Sequence, residues 1–583
     1  MADPNPKIRV ALFLTFLFIC LIILIDGSPV WAESASEPRS RYGGTLVLAA
    51  GSDPKSFNDI IAKETSTTLV TSLIFEGLTR MNVFTLEPEP NLAERWEVDE
   101  SGLQWTFFLR RDVRWSDGQP FTSDDVLFTF NDLIFNDQIP SSARDIFTIE
   151  GEPFEVVKLD DFTVRFILPK KFAPFLMSLG QAILPRHKLR DAVANNEFNF
   201  TWGIDTPPQE IVGTGPFRLV RYQPGERLVF ERNPQYWKQS VDGGRLPYIH
   251  KLIYLIIPSR DAMILRFLED EIDYVDLRGK DYPLLKPLEA GKNFRIYDVG
   301  PNFGSQFVVF NQNRGQDPKT ARPIVDPNKL RWFTDVRFRR AVAHAVDKER
   351  IIGILMNGLG DPQHGPMSPA SGYFYNPDVA QYEYDLEQAA ALLKQAGFAD
   401  RDHNGVIEDK QGNEVRFNLY TNSGNDARVQ IAAILRHDLQ RLGMAVNFLQ
   451  VEFNTLVSKL NSTFDWDAVV LGLTGGIEPH FGRNVWHSSG QLHMWYPRQG
   501  QPATDWEARI DAIFDAGVQE LDRSQRKVLY DEWQAIVARE LPFIYTVLER
   551  NIFAVRNKFG NLRPNSYGGA FHNLEEIYII EKP

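Results

Sequence analysis

The chain has 583 residues, of which 43% are hydrophobic and 24% charged, so it is long enough for more than one folded domain. A net charge of −13 repels phosphate backbones, which excludes nucleic acid as an expected partner. The single cysteine, Cys20, excludes a disulfide framework.

The first 32 residues predict a signal peptide. Lys7 and Arg9 precede an apolar run, 10–25, and the small residues Val30 and Ala32 suit cleavage after position 32. The run is longer than a usual signal core but short for a membrane-spanning helix, so an uncleaved membrane anchor remains an alternative interpretation. Export predicts a location in the periplasm or on the extracellular face of the cytoplasmic membrane, and a mature chain without thiols.

Strand and helix signals alternate in the first half of the chain. "GGTLVLAAG" predicts a strand and "STTLVTSLIFEGLTRM" a helix. A region of alternating residues with two glycine turns, 95–121, predicts hairpins. Thr122, with Asp125 three residues later, predicts a capped helix start. "KLIYLIIP" is too apolar for a half-exposed strand and predicts a buried position in a sheet.

The stretch "VGTGPFRLVRYQPGERLVFERNPQYW", 212–237, has two glycines that suggest a phosphate-binding loop. A dinucleotide fingerprint needs G-x-G-x-x-G between a strand and a helix, but Arg218 stands at the third glycine position. A strand follows in place of a helix, so no helix N-terminus is available for a phosphate. The stretch therefore predicts a turn followed by a β-hairpin.

Helix signals dominate the second half. Asp335, Asp347 and Asp385 each stand where a side chain caps a helix start, and Gly397 marks a helix end. A strand, a long helix and a second strand follow over 414–451. With no internal repeats, this order predicts an α/β protein with mixed sheets and helices in separable lobes.

The motifs of common exported hydrolases are absent or incomplete. The sequence has no G-x-S-x-G element. The adjacent acids Asp124-Asp125 and Asp160-Asp161 occur at a helix start and a turn, where solvated caps are expected. An exported, acidic and tryptophan-rich chain nevertheless resembles carbohydrate enzymes, so a glycoside hydrolase remains an alternative.

Two segments have partial metal-binding patterns. His480, His487 and His493 share one loop-like segment, but their spacing matches no helical or hairpin ligand pattern. The segment "DRDHNGVIED" matches the start of a calcium loop. Its twelfth position is a glutamine instead of the bidentate glutamate, which favours an acidic hairpin turn. No metal or cofactor is predicted, and the calcium candidates in this segment are Asp400, Asp402 and Asn404.

Several blocks stand in one order along the chain: "GTLVLAAGSDPKSFNDI", "WSDGQPFTSDDV", "VGTGPFRLVRYQPGERLVFERNPQYW", "DVRFRRAVAHAVDKERI" and "DLEQAAALLKQAGF". Together they resemble the dipeptide/oligopeptide type of solute-binding protein, the family 5 extracellular binding proteins of ABC importers. The resemblance covers nearly the whole chain after residue 32.

The resemblance implies a two-lobed periplasmic binding protein fold of type II, the large class with an extra subdomain and a hinge between the lobes. Mixed sheets flanked by helices are expected. The implied boundaries are 33–70, 200–300 and 544–583 for lobe I, 71–199 for the inserted subdomain II and 301–543 for lobe III. Two hinge crossings are implied, near "FVVFNQN" and "LPFIYTV".

The resemblance also implies the function. The chain would be the substrate-binding component of an ABC transporter, a monomer that encloses a peptide or similar small solute and delivers it to the permease by lobe closure. No catalysis is expected. An oligosaccharide or a metal complex, the latter held by the three histidines, remains an alternative ligand.

One departure from the family concerns the ligand anchor. Peptide binders of this type place an aspartate for the peptide's amino group in a loop that reads "GLTGGIEPHF" here, so that Gly475 stands in its place. Glu478 is the nearby substitute, and Trp486 and Trp495 are aromatic residues that suit a sugar as well as a peptide. The candidate ligand-binding residues are Asn58, Asn422, Thr474, Gly475, Glu478 and Trp486.

Overall fold

The computed structural model describes residues 41–317 and 320–580. The predicted signal peptide, 1–32, lies outside the described residues. Within the described part of the chain, no helix has the length and apolar character needed to cross a membrane.

The described strands are short and are spread along the whole chain. In chain order they are β1 Thr45–Ala50, β2 Thr79–Met81, β3 Pro88–Pro90, β4 Ala93–Val98, β5 Gln104–Leu109, β6 Thr148–Ile149, β7 Glu152–Pro153, β8 Glu155–Asp160, β9 Thr163–Ile167, β10 Phe217–Gln223, β11 Arg227–Arg232, β12 Lys251–Ile256, β13 Tyr274–Leu277, β14 Phe294–Pro301, β15 Ser305–Phe310, β16 Gly360–Pro362, β17 Arg416–Asn422, β18 Ala445–Val451, β19 Ala468–Leu473, β20 Phe543–Tyr545, β21 Val547–Arg556, β22 Phe559–Gly560 and β23 Tyr578–Ile579.

The longer helices lie in the second half. In chain order the α-helices of the described residues are α1 Thr65–Ile74, α2 Ser123–Leu127, α3 Phe175–Ser178, α4 Arg186–Ala194, α5 Arg260–Leu268, α6 Tyr282–Leu285, α7 Pro327–Thr334, α8 Val336–His344, α9 Lys348–Met356, α10 Leu386–Ala396, α11 Asp426–Arg441, α12 Phe453–Ser458, α13 Arg483–Trp486, α14 Asp505–Gly517 and α15 Arg523–Glu540.

The first sheet has the strand order β1-β12-β11-β10. Strand β12, the apolar "KLIYLI" run, lies between β1 and β11, as its composition predicts. The predicted hairpin is confirmed as β10 and β11, which turn at Gly225 with φ of 71°. A Cβ at Gly213 would lie 2.0 Å from the carbonyl oxygen of Ile74, so the glycine lets this turn pack against the end of α1.

Two further sheets form the hinge. Strand β21 lies between β13 and β14, whereas β15 and β20 belong to a five-stranded sheet of order β18-β17-β19-β15-β20. The chain therefore passes between these sheets twice, from β14 to β15 and from β20 to β21. Both crossings adjoin the segments that the sequence predicts for the hinge. This arrangement is the two-lobed fold with mixed sheets and flanking helices that the sequence predicts.

The five-stranded sheet has an apolar core on each face. Along β15, Val308 and Phe310 pack into one core, and Phe307 and Val309 pack into the other. Because alternate residues of a strand point to opposite faces, a sheet covered on both sides requires a continuous apolar run such as "FVVF".

The inserted part of the chain contains an antiparallel sheet of order β4-β5-β9-β8. The predicted capping box at α2 is confirmed, since the Asp125 carboxylate accepts a hydrogen bond from the Thr122 backbone N–H at 3.0 Å. The sheet memberships support, as a proposal, the boundaries 33–70, 200–300 and 544–583 for lobe I, 71–199 for subdomain II and 301–543 for lobe III.

The helix caps of the second half are also confirmed. The side chains of Asp335, Asp347 and Asp385 accept hydrogen bonds from backbone N–H groups at the starts of α8, α9 and α10. Gly397 ends α10 with φ of 97°, a value that glycine adopts without strain.

The segment 71–199 contacts the segment 301–543. The backbone N–H of Ala173 donates to the carbonyl of Val518 at 2.7 Å, and the ring of Phe172 lies 5.7 Å from that of His480. Glu87 and Arg523 form an ion pair between the same two parts of the chain. These two parts of the chain are therefore in direct contact.

A lysine in the second half of the chain is buried and hydrogen-bonded to two neutral groups. Lys348, only 8% exposed, donates to the Tyr382 carbonyl and to His364 Nδ1, each at 3.1 Å. Burial lowers the pKa of Lys348 to about 8, against a smaller opposing attraction from Glu383. Burial and the lysine charge lower the pKa of His364 to about 4, so the imidazole is neutral at pH 7.

We expect the wild-type protein to gain stability relative to Lys348→Met as the pH rises. The pKa of Lys348 is lower in the folded than in the unfolded protein. Burying the charged lysine therefore lowers the unfolding free energy by the full amount below about pH 8, and this destabilisation disappears above the unfolded pKa. The difference in unfolding free energy should shift by about 3 kcal/mol in favour of the wild type between about pH 7 and 10.5. Urea unfolding of both proteins at each pH measures it, and a pH-independent difference would contradict the assignment.

Candidate functional site

Two adjoining cavities lie where β15 begins and β19 ends, next to the hinge. We call the first, of about 380 Å³, the aromatic cavity and the second, of about 420 Å³, the charged cavity. Both are lined by Phe303, Ser305 and the segment 473–475. The antiparallel pairing of Ser305 with Leu473 brings the start of one strand beside the end of the other, which places the two walls together.

Aromatic side chains form much of the aromatic cavity, but they differ in exposure. Trp486 is 7% exposed, and its ring packs 5.2 Å from Trp533, 5.3 Å from Phe543 and 5.8 Å from Trp495. Phe481 is 49% exposed in the wall of the same cavity. Trp486 therefore supports the wall from the core, whereas Phe481 offers a free ring face to a ligand.

The carboxylate of Glu478 is already occupied within the protein. It accepts a hydrogen bond from the His480 backbone N–H at 3.0 Å and pairs with the Arg526 guanidinium. Both members of this ion pair are buried, Glu478 being 5% exposed. Glu478 lines the aromatic cavity, but it orders the loop 474–482 and is not a free substitute for the missing aspartate.

The two glycines of this loop have opposite surroundings. A Cβ at Gly475 would lie 1.8 Å from the Phe303 carbonyl oxygen, whereas a Cβ at Gly476 would meet no atom within 4 Å. Gly475 is thus required for the close contact between the loop and the chain that enters β15. The anchoring carboxylate of the peptide binders has no room at this position.

Gly475→Asp is expected to lower the unfolding free energy by about 1–3 kcal/mol, because its Cβ forces the Phe303 backbone to move. Gly476→Asp is the matched control, which adds the same side chain into open space and should fold with wild-type stability. Urea unfolding followed by circular dichroism compares the two variants. Equal stabilities would show that the contact at Phe303 is not limiting.

A fixed arginine lines the charged cavity. Arg428 donates from Nε to the Gln306 side-chain oxygen and from Nη1 to the Asn422 side-chain oxygen, both at 3.0 Å. Among the described residues, no carboxylate lies within 4.0 Å of its guanidinium to form an ion pair. Burial lowers the pKa of Arg428, while Glu549, in the wall of the same cavity, acts in the opposite direction.

The structure brings together four of the six predicted ligand-binding residues. Thr474, Gly475, Glu478 and Trp486 line the cavities, and Asn422 acts indirectly by holding Arg428.

The structure does not support Asn58 as a ligand-binding residue, because it lies outside both cavities. It is fully buried, and its amide donates to the carbonyls of Phe198 and Thr201 at 3.3 Å. Asn58 therefore holds a loop of the protein in place and faces no cavity wall.

Sequence reasoning missed Arg428, Glu549, Gln306 and Phe481. Arg428 had one available signal, since it lies in the first turn of α11, directly after the strand that ends at Asn422. Polar groups at such a strand-to-helix junction often face a site. The other three depend on the pairing of β15, β19 and β21 and leave no local pattern in the sequence.

The three histidines have separate environments. His480 is half-buried against Phe172, and this desolvation, with help from Arg483 and Arg526, lowers the pKa of its imidazole to about 4. His487 Nδ1 accepts from Ser489, and the His493 ring packs 3.9 Å from that of Trp495. Within the described ranges, no group of three potential metal ligands includes any of them.

The acidic turn brings part of its predicted set together. Asp400 and Asp402 each place one oxygen within 4.8 Å of the other and of Glu408. The Asn404 amide is used within the turn, donating to Asp402 at 2.9 Å and to Glu414 at 2.7 Å. These contacts stabilise an exposed hairpin turn, and such acidic groups are common without an ion.

Comparisons with known proteins agree with this architecture. The family model described as "Bacterial extracellular solute-binding proteins, family 5 Middle" matches residues 87–492. The chain is 27% identical to the "Probable ABC transporter-binding protein" of Deinococcus radiodurans, covering 88% of each chain. It is also 27% identical to the "Oligopeptide-binding protein AppA" of Bacillus subtilis, covering 94% of this chain and 93% of the relative.

A solved structure has the same fold. The structure of AppA from Bacillus subtilis in complex with a nonapeptide matches with a TM-score of 0.69 and 24% identity, covering 93% of this chain and 99% of AppA. The family match spans well over half of the chain and contains both the inserted sheet and the loop 474–482. The chain belongs to the bacterial extracellular solute-binding proteins of family 5.

Proposed function

We propose that this protein captures a short peptide, or a similar solute with a free carboxylate, outside the cytoplasmic membrane. It delivers the solute as a monomer to an ABC permease when the lobes close, and it performs no chemistry on it. The names of the two similar relatives, an ABC transporter-binding protein and an oligopeptide-binding protein, support this assignment.

The observation that carries the proposal is the state of Arg428. Two side-chain amides hold its guanidinium in the wall of the charged cavity, and among the described residues no carboxylate lies within ion-pair distance of it. A guanidinium presents several N–H donors in a planar fork that matches a carboxylate. A partly buried cation that makes no direct ion pair suits a ligand that brings a carboxylate within hydrogen-bond distance.

The aromatic cavity supplies the second part of the recognition. Its mixture of aromatic and aliphatic side chains suits an apolar side chain of the ligand, with the Phe481 ring as the exposed contact surface. The adjoining glycines leave backbone groups accessible, which recognise a peptide backbone regardless of sequence. Closure across Ala173 and Val518 would then separate the ligand from water.

The test is to denature the purified protein and identify the released small molecules by mass spectrometry, then to measure thermal stabilisation by a random pentapeptide mixture. Peptides in the extract and a ligand-dependent rise in unfolding temperature are expected, with no peptide cleavage over time. The same mixture with amidated C-termini is the control and should stabilise less. Sugars or metal chelates in the extract would overturn the peptide assignment, and steady product release would establish an enzyme.

A further inference from the structure

We infer that Glu549, on the hinge strand β21, binds the ammonium group of the ligand and makes the protein selective for peptides with a free amino terminus. The inference rests on the proposed peptide function and assigns a second charged contact to the same site. The carboxylate that serves this purpose in related peptide binders has no place in the loop 474–482, because Gly475 packs against the Phe303 carbonyl.

The first support comes from comparing the two carboxylates that line the cavities in the described structure, Glu478 and Glu549. Glu478 is buried in an ion pair with Arg526. Glu549 is exposed to the charged cavity and, within the described part of the chain, pairs with no lysine, arginine or histidine.

The next residue along the strand, Arg550, does not pair with Glu549. Arg550 directs its guanidinium to the opposite side, pairing with Asp298 and Asp361 at 2.9 Å each. Consecutive residues of a strand point to opposite faces, which separates Arg550 from the cavity that Glu549 faces. Glu549 therefore has no direct ion-pair partner among the described residues, and its carboxylate is free to contact a bound cation.

Arg428 and Glu549 together define the ligand. They line one cavity of about 420 Å³ as opposite charges, yet they do not form an ion pair with each other. A solute with an ammonium and a carboxylate group matches both charges at once. An N-acylated peptide leaves Glu549 facing an uncharged amide and loses that interaction.

The position of Glu549 links this contact to lobe closure. Residues 547–549 of β21 pair with β16, and the strand continues from Arg550 into the pairing with β14. The ammonium contact thus lies at the point where the strand passes from one lobe's partners to the other's. A ligand bound there interacts with the hinge itself, so that its binding energy favours one relative position of the lobes.

The experiment measures the dissociation constants of Ala-Ala and N-acetyl-Ala-Ala by calorimetry for the wild type, Glu549→Gln and the matched surface variant Glu387→Gln. The wild type and Glu387→Gln should bind the free peptide about 10- to 100-fold more tightly than the acetylated one. Glu549→Gln should bind both forms with the affinity that the wild type has for the acetylated peptide.

Wild-type affinity of Glu549→Gln for the free peptide would overturn the inference and leave the peptide function intact. Equal binding of the two peptides by the wild type would overturn it without any variant, so a folding defect in Glu549→Gln does not block the test. Failure of the wild type to bind either peptide would reject the proposed function, and this inference with it.

Discussion

Arg428→Gln is expected to weaken the binding of peptides with a free carboxyl terminus by about 100-fold, since a charge-assisted bidentate contact is replaced by a neutral amide. Gln306 and Asn422 hold the guanidinium in place in the wall of the charged cavity, so little reorganisation is needed when the ligand binds. Calorimetric titration with Ala-Ala measures the loss directly.

The amidated form of the same peptide provides the control for Arg428. The wild type should bind it about as weakly as the variant binds the free peptide, and the variant should no longer distinguish the two forms. Arg428→Lys should recover part of the affinity, because a lysine keeps the charge but lacks the planar fork. Unchanged affinity in Arg428→Gln would reject Arg428 as the carboxylate contact.

Trp486→Ala is expected to lower the unfolding free energy of the protein by about 3–5 kcal/mol, as removal of a large buried aromatic side chain leaves a cavity. The Trp486 ring packs against Trp495, Trp533 and Phe543, so the loss extends through the core beneath the aromatic cavity. Urea unfolding followed by circular dichroism measures the change.

Phe481→Ala is the matched comparison from the wall of the same cavity. Its ring is half exposed, so the variant should unfold close to the wild type and yet bind apolar peptides more weakly. A stable Trp486→Ala together with an unstable Phe481→Ala would contradict these roles. It would show that Phe481 stabilises the core and that Trp486 does not.

Much of the fold was predictable because its signals are local. The caps at Asp335, Asp347 and Asp385 and the helix end at Gly397 depend on neighbouring residues alone, and the structure confirms each of them. The buried position of β12 followed from its continuous apolar composition. Such elements are correct from sequence because propensity and tertiary packing favour the same result.

The candidate site was only partly predictable because its residues meet through long-range pairing. The loop 474–482 was recognised from its motif, but the buried ion pair of Glu478 with Arg526 joins segments that are 48 residues apart. Asn58 was predicted to contact the ligand because it is a polar residue after a strand. In the structure its amide donates to two backbone carbonyls of the protein instead.

The sequence by itself determined the family, the α/β class, several helix starts and the absence of thiol chemistry after residue 32. Only the tertiary structure decided which charges remain available to a ligand. Availability depends on whether a partner lies within a few ångströms, and those partners come from distant segments: Gln306 for Arg428, Arg526 for Glu478 and Asp298 for Arg550. Local sequence patterns do not predict such pairings, because whether two charges neutralise each other depends on their distance in the folded chain.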